Sequence, residues 1–138
     1  MFKSVFTLYL VLCWFSLMCF GDDDPKKAEN EALGIKCNDM STSETPDAVH
    51  LLKEVLAKNE TVAVKEGYFI VKYLSAAVVS RPSGTENTTT HAYLRTGVAA
   101  IMNHCSEDDG KISGEYTPPD KKGVYRICLT GSEETDDC

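Results

Sequence analysis

The chain has 138 residues, with 14 basic and 21 acidic side chains, a formal net charge of −7 and 43% apolar residues. That length suits one small domain. The acidic balance argues against holding nucleic acid or an anionic membrane surface by net charge.

The first residues carry a single cation, Lys3, followed by an uncharged, largely apolar run from Val5 to Phe20 and a short ending at Cys19-Phe20-Gly21. This is the pattern of a secretory signal peptide over residues 1–21. The apolar run is shorter than the roughly 20 residues a spanning helix needs, and acidic rather than basic charges follow it, so no stable membrane insertion is expected. Removal of the segment leaves 13 basic and 21 acidic groups, a formal charge of −8, and four of the six cysteines: Cys37, Cys105, Cys128 and Cys138. In an oxidising compartment an even count reads as two disulfides, in any of three connectivities. The sequons Asn59-Glu60-Thr61 and Asn87-Thr88-Thr89 agree with a secreted, extracellular chain and mark Asn59 and Asn87 as glycosylation candidates.

Residues 22–31 (DDDPKKAENE) are charged, contain a proline and lack apolar periodicity, which predicts a disordered acidic leader. Within it, Lys26-Lys27 is a dibasic pair of the kind secretory proteases cut. Residues 32–138 then form the single domain. "ALGIKC", residues 32–37, reads as a first strand ending in a thiol. Thr45 as cap, Pro46 at the first helical position and Asp47 near the positive end of the dipole mark a helix start. Val49, Leu52, Val55 and Leu56 carry that helix to about Lys58-Asn59.

Beyond it the period changes. Thr61 to Val64 alternates weakly, Lys65-Glu66-Gly67 is a turn, and Tyr68 to Val79 (YFIVKYLSAAVV) is rich in aromatic and β-branched residues. Twelve residues is long for one strand, so a bend at Leu74-Ser75-Ala76 and two short strands are equally compatible with it. Polar caps at residues 87–90 introduce a second helix, whose stripe Leu94, Val98, Ile101, Met102 and Cys105 turns the Cys105 thiol toward the core. Gly97 in its middle costs about 1 kcal/mol relative to alanine, which points to close packing on the sheet. Two further strands, around Lys111 to Tyr116 and Val124 to Thr130, complete the chain. The expected class is α+β: an α/β sandwich of about five antiparallel strands with two antiparallel helices on one face.

Chemistry is sparse. His50, His91 and His104 could in principle supply the acid–base pair of a secreted ribonuclease. However, His50 falls on a polar helix face, and His91 and His104 lie roughly 20 Å apart along one helix. There is no nucleophile elbow for serine hydrolysis and no zinc spacing. Asp109-Gly110-Lys111-Ile112 resembles the centre of a calcium loop, but its first and twelfth positions are Cys105 and Tyr116, so the acidic ligands are missing. No catalytic residue, metal or cofactor is therefore expected. Lys65 and Lys72 flank or lie within the central strand region and could contact an acidic partner; equally, each could be an edge lysine that discourages sheet aggregation.

The order of "ALGIKC" before a helix, "SAAVVS" closing a strand, "GTE" before a second helix and "IMNHC" ending it resembles the secreted killer toxins of smut fungi, the killer-protein-four (KP-four) family, over residues 32–130. The resemblance implies a sandwich of five antiparallel strands with two helices. It implies a disulfide from Cys37 to Cys105, which leaves Cys128 to pair with Cys138. It also implies a monomer that blocks calcium channels of competing fungi through an exposed lysine near a strand, with Lys65 and Lys72 as candidates. The chain departs from the family in having fewer cysteines and an acidic balance. The functional expectation is a non-enzymatic toxin-like or effector protein that binds a protein target on a competing fungal or host cell, a calcium channel being the target the resemblance implies.

Overall fold

The computed structural model describes residues 25–38, 41–82, 87–106, 108–119 and 126–133. The expected signal peptide and Cys138 lie outside the described residues.

The leader is not unstructured throughout. Pro25–Ala32 forms helix α1, where a disordered segment is expected from charge alone. Pro25 suits the first turn, and Lys, Ala and Glu are among the better helix formers. The helix stops at Gly34, whose φ of +73° is open to glycine, with Leu33 N–H bonded to Glu29 O and Gly34 N–H to Glu31 O. The strand expected from residue 32 therefore shrinks to β1, Ile35–Cys37.

The short strand β2 (Ser43–Glu44) leads into α2 (Thr45–His50), which continues as one π-helical stretch, Leu51–Val55. Pro46 lies in the first turn as expected, but the cap position falls on Glu44, and no side chain caps it. The π stretch, closed by Leu56 N–H on Leu51 O at 2.9 Å, brings Leu51 and Leu56 to the same side. Ala48, Leu51 and Leu56 are consequently buried, while Val49, Leu52 and Val55 are only half-buried. The regular helical stripe read from the sequence is thus rotated.

Strand β3 (Thr61–Ala63) pairs with β6 (Thr88–Thr90), so the threonines expected only as caps are also a strand. The long apolar run is divided into β4 (Phe69–Tyr73) and β5 (Ala76–Ser80), joined by Leu74-Ser75. Helix α3 (His91–His104) begins at Thr90, whose hydroxyl accepts from Tyr93 N–H at 3.3 Å. Leu94, Val98, Ile101 and Cys105 are all buried. Gly97 fits where a Cβ would come within 2.6 Å of Ile127, which accounts for a glycine in mid-helix.

The stretch expected as one strand after α3 is two, β7 (Lys111–Ile112) and β8 (Gly114–Tyr116), and β9 (Ile127–Gly131) follows. Buried Ser113 separates β7 from β8 and donates its hydroxyl to Asn38 O. β7 can then pair with β2 while β8 joins the main sheet.

That main sheet is antiparallel, in the order β1-β8-β9-β5-β4. The register Val71–Val78–Leu129–Gly114–Cys37 puts one row on the helix face, where Val78 and Leu129 meet Leu51, Leu94, Val98 and Ile101. Each fully buried aliphatic side chain there contributes roughly 1.5–3 kcal/mol. The adjacent row, Ile70–Val79–Cys128–Glu115–Lys36, belongs to the outer face. The protein is therefore an α+β sandwich, with α2 and α3 sharing one core on one side of the sheet.

Candidate functional site

Lys72 and Lys65 are both exposed, Lys72 within β4 and Lys65 across a tight turn from the start of that strand. Strand β4 is an edge of the sheet, and Lys72 lies on its outer face, directly across from Ala77 on β5 and then Thr130 on β9. Alanine leaves room there for the lysine stem, and Nζ donates to Ser132 O at 2.7 Å. The ammonium is thus drawn back across the sheet rather than held out over the edge. Lys65 closes the turn Glu66-Gly67, both at positive φ, through reciprocal backbone bonds with Tyr68. Tyr68 and Lys72 are four residue steps apart along the strand, or about 13 Å. The two lysines are therefore separate features. Beside Lys65, Arg81 stacks over the Tyr68 ring at 5.1 Å and donates to its hydroxyl at 3.0 Å.

Next to Lys72 the hairpin tip is unusual. Leu74 has φ +47° and is 69% exposed. A leucine in the left-handed region costs roughly 1–2 kcal/mol, so its surroundings must hold it there. Ser75 supplies the hold. Its N–H and hydroxyl both donate to Asp47 Oδ2, at 3.1 and 2.6 Å, its hydroxyl accepts from Glu44 N–H at 3.0 Å, and its carbonyl accepts from Ser132 N–H at 2.9 Å. Asp47, expected only to complement the helix dipole, is in fact the clamp of the tip. Beside the tip lies an open hollow of about 660 Å³, with Leu74, Ser75 and Ser132 on its wall. The bend was visible in the sequence at Leu74-Ser75-Ala76, but the clamp was not, because Asp47 is 28 residues away. Leu74→Asn should relieve the strain without losing buried surface, raising the urea midpoint by the equivalent of about 0.5–1 kcal/mol; an unchanged or lower midpoint would mean that the conformation carries no strain.

The histidines do not converge. His50 stacks on Tyr73, with ring centroids 4.0 Å apart. His91 is only 5% exposed, and its Nδ1–H donates to Lys58 O at 3.0 Å, so it ties the start of α3 to the end of the α2 segment. His104 is exposed at the far end of α3. Among the described residues, no group of three or more His, Cys, Asp or Glu side chains is placed to hold a metal ion. Asp109 instead accepts from Lys111 N–H at 3.0 Å, and Gly110 O accepts from Thr45 N–H at 2.9 Å, so the calcium-like segment is a structural turn.

Cys37 and Cys105 form a disulfide with Cα atoms 5.2 Å apart, joining β1 to the end of α3. Cys128 is also disulfide-bonded, to a partner outside the described residues. Asn59 and Asn87 are both exposed, although Thr89 of the second sequon is buried in β6. Among the described residues no helix is long and apolar enough to cross a membrane. No protein-family model and no curated protein matches the sequence.

Proposed function

We propose that the chain is a secreted, extracellular, non-enzymatic protein of the killer-toxin-like or effector type. It acts as a monomer by binding a protein on a competing fungal or host cell, and a calcium channel is the target that the KP-four resemblance names. The observation that supports this reading is the pairing of Lys72 with Leu74 on the β4–β5 hairpin: an exposed cation tethered to Ser132 O, and an exposed apolar side chain carried on a backbone that the Ser75 clamp fixes. A cation beside an apolar contact on a fixed turn suits recognition of an acidic protein surface, because little backbone freedom is left to lose on binding.

The test follows calcium uptake and growth in fungal and plant cells exposed to the purified protein. Lys72→Ala should weaken inhibition at least tenfold, while Lys65→Ala, 13 Å or so along the arm, should leave it within about twofold. Full activity in both variants would reject the lysine mechanism, and no effect on either cell type would reject the toxin reading.

A further inference from the structure

The sequence contains two adjacent basic pairs, Lys26-Lys27 and Lys121-Lys122, of which the second lies outside the described residues. The first occupies the opening turn of α1, and the structure presents it for cutting. Every residue from Pro25 to Glu29 is exposed, and α1 buries none of its eight residues. An isolated helix needs roughly 12–15 residues to be stable in water, and shorter ones in proteins depend on a packed apolar face. Helix α1 has neither the length nor the buried face, so it unwinds readily. Lys26 has a partner, but a contact made by an exposed lysine contributes little against solvent and salt. Further along, the opening meets a limit. Gly34 O accepts from Thr117 N–H, Ile35 is buried, β1 pairs with β8, and Cys37 is bonded to Cys105. Residues 28–33 can therefore extend into a protease cleft without disturbing the sheet.

We propose that the leader is a propeptide, hydrolysed between Lys27 and Ala28 by a secretory endoprotease specific for paired basic residues, so that the mature chain begins at Ala28. The inference rests on the secreted reading given above. In the cut, the oxygen of one water molecule goes to the Lys27 carbonyl carbon as the C–N bond breaks. Both protons of that water pass to the Ala28 nitrogen, leaving a carboxylate on Lys27 and an ammonium on Ala28, with nothing oxidised or reduced. Such a protease takes its substrate extended, so the bond is cut from the unwound form of α1, and the rate follows how often that form is populated. The unwinding that frees the bond also presents both lysines together. Of the described residues that the cut removes, Pro25, Lys26 and Lys27, none is buried, so the core keeps every side chain it holds. The boundary between what opens and what stays shut lies at Leu33-Gly34, where the helix ends and the bond from Thr117 begins.

The test expresses the full chain in a secreting fungal host that has its paired-basic endoprotease and in one that lacks it. Intact mass and N-terminal sequencing then read the product in the medium. Ala28 is the expected first residue from the first host, and a residue ahead of Lys26 from the second. Lys27→Gln should restore the longer form in the first host and leave the urea midpoint unchanged, because it alters only an exposed side chain. Protein from the second host, treated with the purified endoprotease, should be cut after Lys27 at a rate within about tenfold of that for a synthetic peptide of residues 22–33. Amide hydrogens of residues 27–32 should likewise exchange within about tenfold of the unfolded-chain rate. An empty medium would overturn the secreted reading and the cut together. A product that begins ahead of Lys26 in both hosts, a first cut after Lys122, slower cleavage or exchange than these bounds, or shortening that persists in Lys27→Gln would overturn the cut alone.

Discussion

Replacing Cys37 and Cys105 together by alanine is expected to lower stability by about 4 kcal/mol, the chain-entropy contribution of a bridge that closes 68 residues. The bridge holds elements with little else to hold them. β1 is three residues long and lies at the edge of the sheet, and only Ile35 of its side chains is buried. Without the covalent tie, β1 would depend on its short pairing with β8 and on α1, which has no buried residue. Alanine is the appropriate replacement because Cys105 is 5% exposed against Ile101 and Gly114, where a serine hydroxyl would be buried. Urea unfolding of the double variant, with the Cys128 disulfide intact, measures the effect. A midpoint shift equivalent to under about 1 kcal/mol would show that the unfolded chain is scarcely restrained by the loop.

Gly34→Ala should be the most damaging of the glycine substitutions, at about 3 kcal/mol, from the sum of left-handed strain and overpacking. Its φ is +73°, and an added Cβ would stand 2.0 Å from Thr117 O. That oxygen belongs to the backbone, and Thr117 is itself fixed to the same residue, its N–H donating to Gly34 O at 2.8 Å. The clash is relieved only by breaking that bond and moving α1 with β1. Gly67→Ala is the matched control, with φ +84° but nothing within 4 Å of the new methyl, so it should cost only about 1 kcal/mol. Measuring both by thermal and urea unfolding separates the steric contribution from the conformational one. Equal losses would mean that Thr117 yields without cost.

Features encoded within a single turn or a single periodic stretch were readable from the sequence. The α3 stripe ends in buried Cys105 as its spacing implies, Gly97 marks a close approach, and the twelve-residue apolar run breaks at Leu74-Ser75. What could not be read depends on partners far along the chain. Thr88–Thr90 became a strand because Thr61–Ala63 lies alongside it, and residues 111–116 split because β7 and β8 join different sheets. The leader was misjudged for a different reason. Its charge masked good helix formers, and Gly34, read as part of a strand, is the stop signal of α1. Lys72 was visible as a candidate, but its tether to Ser132, 60 residues away, was not.

The register Ile35–Tyr116 has a consequence for the order of events as the chain is made. The strand nearest the start finds its neighbour only after most of the domain has been synthesised, and at roughly 5–20 residues per second Cys105 follows Cys37 by about 3–14 s. Throughout that interval the early thiol has no native partner and the edge of β1 has nothing to pair with. The β4–β5 hairpin, by contrast, needs only its own residues and can close within microseconds. The sheet therefore assembles outward from a local hairpin to a late, slow closure at β1, and that closure is the step most exposed to mispairing.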